Sequence, residues 1–360
     1  MNRFEPEIVE DRIERELERV LHEFSCESFS RIQPALTELV CEFLARKGKR
    51  LRPRLFILMN SAYSEDEVGG IYRSAIALEL LHNFVLIHDD IVDNSELRRN
   101  KPSMHRRLRE AFKSARGSKI SAESMAMIIG DMVYAYATGL FMSADVPGDR
   151  KIAALKYLTD AALFTAAGEL RELANTYQPF EELTLESILQ ASQWKTAYYS
   201  FLCPMATGAV MAGAGSREVE LISGFALLAG LAYQIHDDIC DIDLDESELS
   251  ATQFNDIRDG KQTLPIWYTI NKADSRDRNR LLAIMKNGDA DIGDLNEARE
   301  MILDYGGVEF AAKEMRRIVF KATDTLTEIK IADAVKDSLW REIAGVFESP
   351  HLRRKESKEI

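Results

Sequence analysis

An all-α fold is what this chain of 360 residues predicts. Proline is scarce, 9 of 360 residues against a typical ~5%, and proline is the residue that breaks helix interiors. Apolar residues recur at three- and four-residue spacings nearly throughout, the period of an amphipathic helix. No stretch alternates apolar and polar convincingly enough for a half-buried strand. Arg317-Ile318-Val319-Phe320 is too short and sits inside a helical pattern.

The first helix is predicted over 7–24, with Ile8, Ile13, Leu17, Val20 and Leu21 on one stripe and Glu and Arg around the rest. The same periodicity predicts helices over 34–46, 51–63, 70–94, 102–114, 120–143, 149–175, 182–213 and 216–243. Further ones follow over 262–272, 275–285, 293–304, 306–328 and 332–347. The breaks carry turn chemistry: Pro147-Gly148-Asp149, Gly213-Ala214-Gly215, Asn287-Gly288-Asp289 and Gly306-Gly307. Apart from a polar tail over 351–360, nothing reads as a flexible linker. One large all-α domain over 1–350 is therefore expected.

The composition sets further bounds. Lys and Arg number 46 against 59 Asp and Glu, a formal charge of −13, which argues against a general nucleic-acid or anionic-membrane binder. The four cysteines, Cys26, Cys41, Cys203 and Cys240, form no CxxC pair, so neither a zinc knuckle nor a disulfide framework is expected, and a reducing cytoplasm fits. The N-terminal residues lack an apolar signal region. The most apolar run, Leu221 to Ile235, is shorter than the ~20 residues a bilayer span needs and reads as a buried helix.

One short echo stands out. Ile87-His88-Asp89-Asp90-Ile91-Val92-Asp93 returns 148 residues later as Ile235-His236-Asp237-Asp238-Ile239-Cys240-Asp241, each copy closing an apolar helix. Residues four apart share a helix face, so Asp89 with Asp93, and Asp237 with Asp241, each present two carboxylates in one direction. His82 lies about two turns before Asp89 on the same face. Carboxylates at the inner end of an apolar helix need compensation, and an all-oxygen donor set points to Mg²⁺ or Mn²⁺ rather than Zn²⁺. The plain alternative for one such cluster is a solvated acidic helix end; two near-identical copies weigh against it. A calcium loop beginning at Asp241 fails, because Glu246 stands where glycine is needed and Thr252 where a bidentate glutamate is needed.

Two basic islands accompany the acids. Arg46, Lys47, Lys49, Arg50, Arg52 and Arg54 put six cations in nine residues; Arg98, Arg99, Lys101, Arg106, Arg107 and Arg109 follow the first acidic motif. For Arg106, Arg107 and Arg109 an ordinary solvated charge run is the favoured reading. Cations and carboxylates around a divalent ion are how a polyphosphate is held. No P-loop or GxGxxG is present, so a nucleotide is disfavoured.

In this order of motifs the chain resembles the trans-isoprenyl diphosphate (polyprenyl) synthases over roughly residues 40–270. The resemblance rests on Gly48-Lys49-Arg50-Leu51-Arg52-Pro53, then His82, then Asp89-Asp90-Ile91-Val92-Asp93 running on to Arg98-Arg99 with Pro102 and His105 beyond. Gly130-Asp131, Lys195-Thr196, Gln234 with Asp237-Asp238 and Asp241, and Asp256-xxx-Gly260-Lys261-x-Thr263-Leu264-Pro265 complete it. The resemblance implies a single bundle of long helices around a deep central cavity, assembled as a homodimer. It also implies Mg²⁺-dependent condensation of isopentenyl diphosphate with an allylic diphosphate.

By the same resemblance, Asp89, Asp93, Asp237 and Asp241 bind metal, three Mg²⁺ in all held together with the diphosphate. Asp90 and Asp238 support that shell. Arg98, Lys195 and Lys261 grip the allylic diphosphate; Lys49, Arg52, His82 and Arg99 bind isopentenyl diphosphate; Thr196 and Gln234 line the reacting region. Asp89, Asp93, Asp237, Lys195 and Arg98 form the catalytic set. Phe84, five residues before Asp89, resembles the short-chain pattern, and with Val85 would limit product length to C15–C20, with C20 favoured. On an ideal wheel Val85 lies about 40° from Asp89 and Phe84 about 140°, so Phe84 also reads as ordinary core. His105 reads as a capping or packing residue.

Two departures stand out. From Asp237 to Ile257 there is no Lys or Arg, although the family carries a lysine in that loop, and Asn100 replaces a glycine. The missing lysine motivates a second reading, a weakly active or non-catalytic subunit. A third, an HD-type phosphohydrolase, would use His88 as a metal ligand. A cyclising terpene synthase is disfavoured because the second motif is Asp-Asp-x-x-Asp.

Overall fold

Pro6 and Pro34 each occupy the first turn of a helix, where their missing N–H costs nothing and their fixed φ suits the helix. The structure is a computed structural model and describes residues 5–26, 33–64, 68–112, 121–243 and 254–347. The tail expected over 351–360, and the stretch Leu244–Thr252 within which the family lysine is missed, lie outside the described residues. The chain divides into two compact units, Met1–Thr159 with Pro204–Gly215, and Asp160–Cys203 with Ser216–Ile360.

In the first unit, α1 (Pro6–Phe24), α2 (Pro34–Leu44), α3 (Leu51–Tyr63) and α4 (Ile71–Val92) precede a hairpin, α5 (Met104–Ala111) and α6 (Ala122–Phe141). Helix α4 packs on α6, α3, α1 and α5. It is apolar on most sides, as a helix enclosed by others must be, and Leu78, Leu80, Leu81 and Ile87 are buried. A Cβ on Gly130 of α6 would lie 2.3 Å from the His88 ring, so glycine permits this close approach of α6 to α4. Helix α7 (Gly148–Thr176) begins here, as does the part of α9 (Cys203–Ala212) from Pro204 on. There Asn60 Nδ2 donates to the Gly208 carbonyl at 3.2 Å.

The helix expected over 102–114 is shorter, because a two-strand hairpin takes its first residues. Strands β1 (Leu97–Arg98) and β2 (Lys101–Pro102) pair antiparallel, Leu97 with Pro102 and Arg98 with Lys101. Arg99 and Asn100 make the turn at φ 55° and 58°, the paired left-handed conformation of a tight hairpin. Asn100 tolerates it where the family has glycine.

The second unit holds the rest of α7, then α8 (Leu185–Ser192), a π-helical segment Gln193–Leu202, α10 (Ser216–Ile242), α11 (Asn255–Arg258) and α12 (Leu264–Lys272). Then come α13 (Ser275–Met285), α14 (Ile292–Asp304), α15 (Gly307–Glu328) and α16 (Asp333–Phe347). The single helix expected over 182–213 is therefore three helical pieces with an over-wide centre. Helix α10 packs on α15 and on the π segment, around Ile235, Ile239, Ile266, Ala311 and Ile318. Side-chain caps start several helices: Asp274 Oδ1 accepts from the Arg276 and Asp277 amides at 2.8 and 3.0 Å, and Asp291 Oδ1 from Asp294 at 2.9 Å.

By length and composition, α6 and α10 are apolar enough to cross a membrane. The apolar run read from the sequence is only part of α10. Over half of that helix's most apolar window is buried within the fold, and its last turns carry His236, Asp237 and Asp238.

Candidate active site

The first acidic motif closes α4, with Asp93 as its C-cap. Asp90 turns inward, with a side chain 0% exposed, and Asp89 stays partly exposed at 20%. Arg98 of the hairpin answers both carboxylates: its Nε donates to Asp90 Oδ1 at 2.7 Å and its Nη2 to Asp89 Oδ2 at 2.8 Å. Even so, burial pushes the Asp90 carboxyl up to about 6, with Arg98 opposing and Asp89 and Asp93 adding to the shift. The second Asp90 oxygen is buried with no hydrogen-bond partner. One guanidinium does not satisfy this carboxylate group.

Beside it lies a cationic cradle built from the turn before α3 and the hairpin. Arg46 donates to the Arg98 and Pro102 carbonyls at 3.3 and 2.9 Å, and Arg99 Nη1 donates back to the Arg46 carbonyl at 2.8 Å. A Cβ on Gly48 would lie 2.9 Å from the Arg99 guanidinium carbon, so glycine is what lets Arg99 rest there. Lys49 is exposed and Arg52 and Arg99 are half-buried. His82 is half-buried, and desolvation with the nearby charges of Arg52, Arg99, Arg98 and Arg50 holds its pKa well below the usual value. It stands as a neutral imidazole among cations, able to donate to an anion without adding charge.

Three cations of the second island are committed elsewhere. Arg107 pairs with Glu42; Arg109 pairs with Glu123 and Glu96, and Arg106 with Glu96 at 3.0 Å. These are surface ion pairs, the ordinary reading the sequence favoured for them. His105 is buried against Ser103, with Nδ1 3.3 Å from its hydroxyl, and so packs.

In the second unit, α10 ends with Asp237 exposed, Asp238 buried and Asp241 half-buried. Thr196 donates to the Gln234 carbonyl oxygen, and the Gln234 amide donates to Asp238 Oδ1 at 2.8 Å. The Asp256 backbone N–H donates to Asp241 Oδ2 at 3.0 Å. Burial pushes Asp238 up to about 8, opposed by the Gln234 bond and reinforced by Asp237, Glu172 and Asp241. Asp241 and Asp256 are raised as well, burial again first. Lys195 lies between Glu169 at 2.8 Å and Glu172 at 3.0 Å, and Lys261 is 3.6 Å from Asp259.

Gly168 brings α7 against the Lys195 backbone, since a Cβ there would lie 2.3 Å from its nitrogen. Glu169 and Glu172 are absent from the sequence expectation, and Asp256 enters it only as a motif letter. Their sole sequence signal is a three-residue spacing of acids on α7, which any solvated helix also shows.

A divalent cation fits both acidic groups. The donors are carboxylate oxygens, several are desolvated, and their raised pKa values express burial first and then mutual repulsion, both of which a cation would relieve. Among the described residues, no three His, Cys, Asp or Glu side chains converge on a single point.

The sequence model of the polyprenyl synthetase family matches residues 33–302, three quarters of the chain. The chain belongs to the polyprenyl synthetase family. A short-chain isoprenyl diphosphate synthase of Methanothermobacter thermautotrophicus is 30% identical, over 88% of this chain and 93% of that protein. A geranylgeranyl pyrophosphate synthetase structure from Pyrococcus horikoshii superposes with a TM-score of 0.77 at 26% identity, covering 94% of this chain and 95% of that one. A geranylgeranyl pyrophosphate synthase of Corynebacterium glutamicum, solved with isoprenyl diphosphate and magnesium, reaches 0.85 at 21% identity, covering 95% and 98%, and shares the fold. As a polyprenyl synthetase this chain is a prenyltransferase of the isoprenyl diphosphate synthase type.

Within the synthetase, Phe84 is half-buried on α4 and packs its ring against Tyr134 of α6 and against His88, with centroids 5.0 and 4.7 Å apart. Val85 beside it is also half-buried. His88 contacts the Phe84 carbonyl at 3.1 Å and lies 3.5 Å from Asp131, so it is turned toward α6. The phosphohydrolase reading, which needs His88 on a metal, gains nothing from this placement.

Proposed function

We propose that this synthetase condenses isopentenyl diphosphate with an allylic diphosphate to give an all-trans product of C15–C20, with C20 favoured, residues 1–350 acting as one catalytic domain. The observation that carries the reading is the desolvated carboxylate group at the end of α4 beside a cradle of Lys49, Arg52, Arg99 and neutral His82; the second unit carries a desolvated carboxylate group of its own at the end of α10. Polyphosphate recognition needs both signs, and within a chain of net charge −13 the first unit sets Lys49, Arg52, Arg98 and Arg99 beside the first acidic motif.

Asp89, Asp93, Asp237 and Asp241 would hold Mg²⁺, three ions in all, and Asp90 and Asp238 would orient that shell through their bonds to Arg98 and Gln234. When bound, the ions supply charge that stabilises the departing pyrophosphate. Arg98, Lys195 and Lys261 bind and orient the allylic diphosphate, for which Lys195 must leave Glu169 and Glu172. Lys49, Arg52, His82 and Arg99 seat the isopentenyl diphosphate. Thr196 and Gln234 form a polar wall beside the reacting carbons. Proton loss to the departing pyrophosphate completes the proposed reaction.

A homodimer is part of the proposal. Met127 and Ile128 on α6 and Ile152, Leu163 and Leu170 on α7 are 48–69% exposed, and a second copy would cover them. Four free cysteines support a reducing cytoplasm. The test is incubation with C5, C10 and C15 allylic diphosphates, labelled isopentenyl diphosphate and Mg²⁺, followed by product chromatography. Product up to C20, lost in EDTA, is expected. Hydrolysis without chain growth would refute the reading.

A further inference from the structure

We infer that the buried ion pair of Arg50 with Glu79 is a positioning device for the isopentenyl diphosphate site. The inference rests on the proposed role of Lys49, Arg52, His82 and Arg99 in binding that diphosphate.

Arg50 Nη1 lies 2.6 Å from Glu79 Oε1, and the two side chains are 1% and 2% exposed. The same guanidinium reaches Glu14 of α1, Nε to Oε1 at 2.7 Å and Nη2 to Oε2 at 3.3 Å. Arg50 also takes a left-handed backbone, φ 48° and ψ 34°, as the N-cap of α3. A non-glycine residue adopts this only when its surroundings hold it there. The two carboxylates on its side chain are that restraint. Lys49 precedes this turn and Arg52 lies in the first turn of α3, so the direction of both is set by it.

Glu79 lies three residues before His82, on the same face of α4 and one turn away. One ion pair thus ties the turn bearing Lys49 and Arg52 to the helical turn bearing His82. Glu79 also acts electrostatically on Arg99, against the repulsion of Arg50, Arg52 and Arg98. With Glu14 on Arg50 and Asp89 and Asp90 on Arg98, it is part of the counter-charge that lets four guanidiniums stay close before an anion arrives.

Stability alone does not account for the pair. A buried ion pair repays its desolvation poorly compared with apolar residues of similar volume. Glu79 keeps a second oxygen buried with no hydrogen-bond partner, a further cost. A chain under pressure only to fold gains by replacing both residues with apolar ones, and that substitution is the test.

The double variant Arg50→Met with Glu79→Leu removes both buried charges together, leaving only the partly exposed Glu14 without its partner. Its melting temperature should stay within a few degrees of the parent. By calorimetry, isopentenyl diphosphate should bind about tenfold or more weakly, the scale of a misplaced binding group. Geranyl diphosphate with Mg²⁺ should bind within about twofold of the parent. Glu79→Asp, which keeps the charge but withdraws it by one methylene, should show the same selective loss and serves if the double variant fails to fold. A folded variant that keeps the parent's affinity for isopentenyl diphosphate, or one that loses both ligands equally, overturns the inference. Parent protein that binds geranyl diphosphate but no isopentenyl diphosphate would instead overturn the site reading, and the inference with it.

Discussion

Replacing Asp90 with asparagine should stabilise the metal-free protein, even though it removes half of an ion pair. Burial dominates at this site: the carboxyl is pushed up to about 6 from 3.8, net of the attraction of Arg98. A rise from 3.8 to about 6 corresponds to roughly 3 kcal/mol, at ~1.36 kcal/mol per pH unit, by which the charged form is disfavoured in the fold. Asparagine keeps the shape and an acceptor for Arg98 without the charge, so a gain of about 2–3 kcal/mol is expected at pH 7.5 in EDTA. The pH dependence has a definite sign. Between 3.8 and 6 the folded state binds more protons than the unfolded state at this carboxyl, so parent stability falls as pH rises through that window and levels off above it. The advantage of Asp90→Asn should therefore vanish near pH 4 and be complete by pH 7. Urea unfolding at both pH values measures it. A variant less stable than the parent at pH 7.5, or one with the same advantage at pH 4, would refute the reasoning.

Other substitutions probe different parts of the chain. Gly168→Ala places a Cβ against the Lys195 backbone, where nothing can rotate away; a loss of about 1–3 kcal/mol in urea unfolding is expected, in the range of overpacked cores. Phe84→Ala opens the space held against Tyr134 and His88, so the product distribution should extend beyond C20 on chromatography; an unchanged distribution would make Phe84 ordinary core. Leu163→Glu with Leu170→Glu charges two exposed apolar positions one heptad apart on α7; sedimentation should show monomer where the parent is a dimer, with the helical circular dichroism retained.

Much of this was legible because the signals are local. Helical period and scarce proline mark the long helices, and a repeated heptapeptide marks the two acidic helix ends. The misses have physical reasons. The hairpin is two residues a side, and its turn is made by Arg99 and Asn100 without a glycine to announce it. The π segment Gln193–Leu202 keeps the apolar pattern of an α-helix closely enough that its wider turn does not show. The bonds of Lys195 to Glu169 and Glu172, and of Arg50 to Glu79, join residues 23 to 29 positions apart, and an acid on a helix does not name its partner.

The repeated heptapeptide shows most clearly why sequence identity stops short of chemistry. Asp90 and Asp238 hold the same place in the two copies and both are buried. Asp90 meets a guanidinium carried in by the hairpin, and its carboxyl rises only to about 6. Asp238 meets the amide of Gln234, a neutral donor, with Glu172, Asp237 and Asp241 all adding repulsion, and rises to about 8. Near pH 7.5 the first is ionised with its own cation, while the second motif, where Asp238, Asp241 and Asp256 are all raised, retains bound proton. Cation binding at the second motif should therefore release a proton where binding at the first releases almost none. Mg²⁺ titrations by calorimetry in buffers of different ionisation enthalpy would register that proton, and Asp238→Asn should reduce it while Asp90→Asn leaves it in place. Loss of the proton in Asp90→Asn but not in Asp238→Asn would reverse this assignment.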